Sequence, residues 1–323
     1  MSQQETCLVT GAAGFIGSHL AEALVARGYR VIGVDVFVDF YPRSMKEANL
    51  MSLSQAPTFQ LIEADLRTMD LEALLTGIDY VFHLAAQAGV RTSWGNSFRS
   101  YVEHNVLATQ RLLEAALKSG VQRVIYASSS SVYGDTPDQP AREESRPAPV
   151  SPYGVTKLAA EHLCRLYTVE HGLPTISLRY FTVYGPRQRP DMAFHKFIRA
   201  LLRNELLPVY GDGEQSRDFT YVGDIVAANL AAMQLGHPGA CYNLGGGNHT
   251  TINEVLGLLE LITGKCARVH YSARQPGDTA HTAADTTLAR TELSFAPAWR
   301  LDEGLRMEAN WLAELLTQAG QPA

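Results

Sequence analysis

Tyr153 and Lys157 lie four residues apart in Tyr153-Gly154-Val155-Thr156-Lys157, a spacing that puts both on one face of a helix. An ammonium beside a phenol favours the phenolate and makes tyrosine a usable base near neutral pH. Such pairs also arise by chance on solvated helices. What lifts this one is Ser128-Ser129-Ser130-Ser131 at the end of the preceding apolar run, because open α/β sheets place their ligands at the carboxyl ends of strands. A serine there can hold a substrate hydroxyl beside Tyr153, although four serines alone also fit a polar turn.

A second constellation is Thr10-Gly11-Ala12-Ala13-Gly14-Phe15-Ile16-Gly17, between a strand-like run and a helical one. Gly11 permits a tight turn, Gly14 lets the backbone approach a pyrophosphate, and Gly17 lets the helix pack on the sheet. The helix N-terminus then offers free amides and a positive dipole end to phosphates. Asp35 ends the next strand, where a carboxylate accepts both hydroxyls of an adenosine ribose and repels a 2′-phosphate. That favours NAD over NADP. Asp65-Leu66, after the third strand, is expected near the adenine, and an N-cap role for Asp65 is compatible with that.

These residues need elements to position them. Strands are expected at Cys7–Thr10, Arg30–Asp35, Phe59–Ala64, Tyr80–Leu84, Arg123–Ala127 and Thr175–Tyr180. Helices are expected at Gly14–Arg27, about Tyr101–Lys118 and about Tyr153–His171. Strand alternating with helix at this spacing predicts an α/β fold, a doubly wound parallel sheet covered on both faces. The pattern loosens after Tyr184, as a smaller substrate lobe would. A helix at Asp224–Met233 and a strand at Cys241–Leu244 suggest a return to the main sheet around 219–246. The expected division is 1–180 for a Rossmann domain and 181–323 mainly for a substrate lobe.

Composition narrows the function classes. Hydrophobic content of 46% and charged content of 19% are ordinary for a globular chain and exclude a disordered or collagenous one. A net charge of −6 gives no electrostatic case for nucleic acid. The four Cys form no CxxC and no cluster with His, so neither a disulfide framework nor a metal site is expected. No apolar run reaches membrane-spanning length and the start does not read as a signal peptide, so a cytoplasmic protein with no membrane partner is expected.

TGAAGFIGSHL, SSSSVYG and SPYGVTK together resemble the extended short-chain dehydrogenase/reductase superfamily, and within it the NAD-dependent nucleotide-sugar epimerases. The resemblance covers nearly the whole chain. It implies a Rossmann-like domain, a smaller nucleotide-sugar lobe, and a tightly held NAD that is reduced and reoxidised in each turnover. It makes Tyr153, Lys157 and Ser129 catalytic. It assigns Gly11, Gly14, Phe15, Ile16, Gly17, Asp35, Asp65, Leu66, Leu84, Ala85, Ala86, Gln87 and Asn105 to the cofactor.

For the substrate it implies Ser128, Ser129, Ser130, Thr182, Arg189, Phe194, Arg217, Arg274 and Asp278. Phe197 and His195 are further candidates for the nucleotide pocket, His195 fitting a surface helix equally well. Dehydratases of the superfamily carry Asp-Glu where this chain has Ser130 and Ser131, so dehydration is not expected. The stretch Thr182–Ala193 resembles UDP-glucuronate 4-epimerases more than UDP-glucose 4-epimerases, which usually have Asn at the position of Thr182. UDP-glucuronate is therefore the expected substrate, with UDP-glucose/UDP-galactose, or a non-catalytic nucleotide-binding role, as alternatives. A homodimer is implied, pairing the helices about Tyr101–Lys118 and Tyr153–His171 through Leu107, Leu112, Leu113, Ala116, Leu158, Leu163, Leu166 and Tyr167.

Overall fold

A computed structural model describes residues 4–136 and 138–318. The chain begins β1 Thr6–Thr10, α1 Phe15–Ala26, β2 Arg30–Asp35, α2 Arg43–Asn49, β3 Phe59–Glu63, α3 Leu71–Leu75 and β4 Tyr80–His83. Next come α4 Phe98–Tyr101, a π-helical turn Val102–Leu107, α5 Ala108–Ser119, β5 Arg123–Ser129, α6 Pro152–His171 and β6 Thr175–Tyr180. They are followed by β7 Thr182–Tyr184, α7 Ala193–Leu202, β8 Leu206–Tyr210, β9 Ser216–Tyr221, α8 Val222–Leu235 and β10 Cys241–Leu244. The last are β11 Asn248–Thr251, α9 Ile252–Thr263, β12 Arg268–Ser272, α10 Thr287–Leu293 and α11 Leu301–Gln318.

Seven strands form one sheet in the order β10-β6-β5-β4-β1-β2-β3, and every pair in it is parallel. This is the Rossmann-like α/β sheet that the strand–helix alternation predicts. β1, β5 and β6 are apolar along most of their length because helices cover both faces. Their side chains alternate: Cys7 and Val9 join the core that contains Leu20, Leu24 and Ile176, while Leu8 joins Leu112, Leu113 and Ala160 on the other face. The strand order reverses between β1 and β4, and a crevice opens there at the carboxyl ends.

Beyond β6 the chain builds two small sheets, β11-β9-β7 and β12-β8. β10 then adds to the edge of the main sheet beside β6. α11 packs on α7 and α9.

Two expectations need revision. The helix expected through 101–118 is broken by the π-helical turn at Val102–Leu107, which contains the buried Asn105. The apolar stripes on the two long helices also divide their work. Leu112, Leu113, Ala116 and Tyr167 are buried against the sheet, whereas Leu107 and Leu166 are 51% and 50% exposed.

Candidate active site

The crevice is lined at one end by the turn after β1. Gly11 has φ +72, and a Cβ there would stand 2.9 Å from the Ala85 nitrogen. A Cβ on Gly17 would stand 2.1 Å from the Gly11 carbonyl oxygen, so only glycine lets α1 start this close to the sheet. No side chain caps the N-terminus of α1, which leaves its first amides to a ligand. Asp35 is oriented by its own surroundings: Oδ2 accepts the Ala13 N–H at 3.1 Å and Oδ1 accepts the Phe37 N–H at 2.8 Å. Phe15, Ile16, Asp65, Leu66, Leu84, Ala85, Ala86 and Gln87 line the same groove. Asp65 does not cap a helix; its carboxylate pairs with Arg67 at 2.7 Å, which holds its pKa below the usual carboxylate value. Asp70 is the N-cap of α3.

The other end of the groove is made by α6. Ser151 caps it, its hydroxyl accepting the Gly154 N–H at 3.1 Å, with Pro152 in the first turn. A Cβ on Gly154 would stand 2.5 Å from the Ser131 carbonyl, so this helix start presses directly on the serine turn. Tyr153 and Lys157 both reach the groove, as does Ser128.

Lys157 has the Tyr126 ring 4.6 Å from its Nζ, and burial pushes its pKa down to about 7. The expectation of a phenol depressed by Lys157 does not hold for the protein alone. Burial raises the pKa of Tyr153, while the neighbouring Ser129 hydroxyl and the charge of Arg189 pull it back. The buried ammonium is itself destabilised and has no net charge to spare well above neutral pH.

One turn beyond Lys157, Glu161 accepts from Arg179 at 2.6 and 3.0 Å and from Ser128 Oγ at 2.7 Å. The hydroxyl of Ser128 is thereby committed away from a ligand. Ser129 Oγ accepts the Ser131 N–H at 3.1 Å and keeps its own proton free for a partner. Ser130 begins the short helical turn that follows, and Thr182 begins β7, half-buried.

Arg189 lines the groove near Tyr153 and is held by Asp191 through two bonds of 2.9 Å. Arg217, Arg274 and Asp278 are brought together elsewhere. Arg217 donates to the carbonyls of Ser216 at 2.8 Å, Thr279 at 2.7 Å and Ala280 at 3.1 Å. Arg274 pairs with Asp135 at 3.1 Å, and Asp278 accepts from Arg91 at 2.8 Å.

Three assignments change. Phe194 is a core residue, 1% exposed and packed on Phe219 at 4.6 Å, and Phe197 is buried with it. α7 turns that face inward because β7 and β9 lie against it. Asn105 does not line the groove; its side chain is consumed by the backbone of Gln87 and by Thr156, so it supports the wall from behind. His195 is neither exposed nor at the groove. Its ring nitrogen bonds the Gln188 carbonyl at 3.0 Å, and burial lowers its pKa to about 4.

The structure also adds residues that the sequence reading passed over: Phe40, Tyr41, Lys46 and His104 on the groove, and Arg91 stacked 4.3 Å over Tyr210. None belongs to a local motif; Lys46 reaches the groove because its Nζ donates to the Val38 carbonyl at 2.9 Å. Among the described residues there is no group of His, Cys, Asp and Glu fit for a metal and no helix long and apolar enough to cross a membrane.

A glycine cradle, an uncapped helix start, an oriented carboxylate and a Tyr/Lys pair along one groove fit a dinucleotide. Comparison with known proteins points the same way. The model of the NAD dependent epimerase/dehydratase family matches residues 7–245. The uncharacterized UDP-glucose epimerase YtcB of Bacillus subtilis is 46% identical over 310 residues, 95% of this chain and 98% of that protein. The UDP-glucuronate 4-epimerase of Thermodesulfobacterium geofontis is 39% identical over 316 residues, covering 95% and 96%. The crystal structure of UDP-glucuronic acid 4-epimerase from Bacillus cereus, in complex with UDP-glucuronic acid and NAD, superposes with a TM-score of 0.94. It is 44% identical and covers 96% of this chain and 99% of that one.

Proposed function

The chain belongs to the NAD dependent epimerase/dehydratase family, and from that premise we propose that it inverts the fourth carbon of UDP-glucuronate to give UDP-galacturonate. It is an NAD-dependent UDP-sugar 4-epimerase. The observation that carries the substrate is the near-complete match to an epimerase crystallised with UDP-glucuronic acid and NAD. When bound, NAD supplies the hydride acceptor and donor at the sugar. The α1 N-terminus would hold its pyrophosphate, Asp35 its adenosine ribose and Lys157 its nicotinamide ribose.

The protein's own part is proton transfer and orientation. Tyr153 Oη takes the proton of the 4-hydroxyl, with the Ser129 hydroxyl sharing the bond. The 4-keto sugar turns about its diphosphate link so that its other face is presented, and Tyr153 returns the proton to the oxygen on the fourth carbon. A 4-keto uronate is a β-keto acid, and it loses carbon dioxide when the bond to the carboxylate aligns with the carbonyl π system. The epimerase must therefore clamp that carboxylate out of alignment. Ser129, Ser130 and Thr182 are the hydroxyl donors for the clamp, with Arg189 at longer range. Arg217, Arg274 and Asp278 hold the diphosphate and nucleotide ribose. Residues 1–180, with the return at 219–246, serve NAD, and 181–323 mainly serve the sugar nucleotide.

Incubation with UDP-glucuronate and with UDP-glucose separately, products resolved by NMR, tests this. UDP-galacturonate with no pentose is expected. A UDP-4-keto-pentose would overturn the clamp, and conversion of UDP-glucose alone would overturn the carboxylate. The name printed for the Bacillus subtilis relative makes UDP-glucose the second substrate to try.

The enzyme works as a homodimer in the cytoplasm. Exposed Leu107, Val155, Leu166 and Val169 on the long helices support the dimer, and four unpaired cysteines are in keeping with a reducing compartment. A monomer mass by light scattering at micromolar concentration would rule out the dimer.

A further inference from the structure

Behind the groove wall lie five buried polar side chains in two hydrogen-bonded groups, Thr10–His83–Thr109 and Asn105–Thr156, which meet at residue Asn105: Thr109 bonds its main-chain carbonyl and Thr156 its side chain. Each is at most 2% exposed. Donor accounting assigns every proton in them. Thr109 Oγ1 lies 2.7 Å from the carbonyl of Asn105, which can only accept, so the hydroxyl donates there. Its contact with His83 Nε2 at 2.9 Å then requires the proton on Nε2. Burial, with the charge of Lys157 as the second cause, lowers the His83 pKa to about 3, so the ring is neutral. Nδ1 is thus an acceptor and takes the Thr10 hydroxyl proton at 2.8 Å. Thr10 Oγ1 in turn accepts the Ala85 N–H at 3.1 Å.

From Asn105 the bonds continue to both sides of the groove. Asn105 Oδ1 accepts the Gln87 N–H at 2.7 Å and Nδ2 donates to the Gln87 carbonyl at 3.0 Å. Nδ2 also donates to Thr156 Oγ1 at 3.0 Å, and that hydroxyl donates to the Tyr153 carbonyl at 2.8 Å. Thr10 thus holds the 84–87 wall at the end of β1, Asn105 holds it to the first turn of α6, and the His83 imidazole ties Thr10 to Thr109, one helical turn from Asn105.

We infer that His83, held as the neutral Nε2–H tautomer, is a positioning residue that sets the spacing between the dinucleotide turn and the helix carrying Tyr153. This rests on the epimerase reading above. His83 does not line the groove; it acts through Thr109, whose hydroxyl bonds the Asn105 carbonyl. An imidazole suits the place because it donates and accepts on opposite sides of one rigid ring. The titratable groups facing it are Lys157 and the Tyr126 phenol, whose ring lies 5.9 Å away.

The first test is nitrogen-15 NMR of histidine-labelled wild-type protein, which reads the tautomer directly. A neutral Nε2–H ring from about pH 6 to 8, the range where free imidazole titrates, is expected. An Nδ1–H or doubly protonated ring overturns the inference. The second is kinetic. His83→Asn keeps an acceptor for Thr10 and loses the donor to Thr109; Thr109→Val breaks the same bond from the other side. Each lowers kcat on the order of 10-fold, inside the loss that a misplacement of about 1 Å brings. KM for UDP-glucuronate stays near wild type, and the double variant is no slower than the slower single one. Wild-type kcat in His83→Asn, or additive losses, overturns the inference. Failure of the wild type to epimerise at all would instead sink the functional reading, and the tautomer spectrum would still decide the state of His83.

Discussion

Lys157 and Glu161 sit one turn apart on the same buried face of α6, and their surroundings could hardly differ more. Glu161 is bound by Nε and Nη2 of Arg179 and by Ser128. Lys157 has no hydrogen-bond partner among the described residues and only the ring of Tyr126 beneath it. Arg179 pulls the Glu161 pKa down in spite of burial, while for Lys157 burial outweighs the opposing influence of Cys164 and Glu161 and brings it to about 7. A buried charge costs several kcal/mol unless it is paired. The fold meets that cost at Glu161 through Arg179 and Ser128, and sets the Lys157 ammonium on the wall of the groove.

The sharpest break between the two sites comes from Tyr153→Phe, beside Lys157. Loss of a positioned acid/base group should lower kcat on the order of 10²–10⁴-fold, while calorimetry still detects UDP-glucuronate binding. Glu161→Gln should do the opposite. It strands the Arg179 charge in a site where both side chains are at most 8% exposed. A loss of about 3–5 kcal/mol in a urea titration is expected. The pair also has a pH signature. Because the folded pKa of Glu161 lies below its ordinary 4.5, the stabilisation is complete above that value. It is lost as pH falls through the folded pKa, and Glu161→Gln should remove this acid limb.

Ser128→Ala tests the donor that completes the pair. Removing a hydrogen bond to a charged group should cost about 1.5–3 kcal/mol by the same titration. The last effect is a slope with pH, not a single loss. Lys157 falls from 10.5 unfolded to about 7 folded, so between those values the unfolded chain holds a proton that the folded one does not. Stability of the cofactor-free protein should therefore rise with pH from about 7 towards 10, and Lys157→Met should flatten the rise. An unchanged slope would show that Lys157 is paired in solution.

The glycine-turn end of the groove was readable because its requirements are local. Gly11, Gly14, Gly17 and Asp35 are specified by a turn, a helix start and a strand end, all within one stretch of chain. Tyr153 and Lys157 follow from helical spacing. What stayed hidden depends on partners far away in sequence. Phe194 shows an apolar helix face, yet only the arrival of Phe219 decides that this face is core. Arg217 reads as a free guanidinium until the 279–280 carbonyls close on it. The raised phenol of Tyr153 is a matter of burial, which helical spacing does not report. His83 lies inside a stretch read for the cofactor, but its role comes from Thr109, on another element.

A π-helical turn is equivalent to an α-helix with one residue too many, and each residue of an α-helix advances it by about 100° and 1.5 Å. The Val102–Leu107 turn holds that residue between α4 and α5. Upstream of it Tyr101 reaches back to the Ala88 and Gly89 carbonyls; downstream Leu112 and Leu113 face the sheet. Removing one residue from this stretch would return it to a plain α-helix without turning α5 out of phase, so the extra residue acts locally, on the offset that seats Asn105 behind the wall.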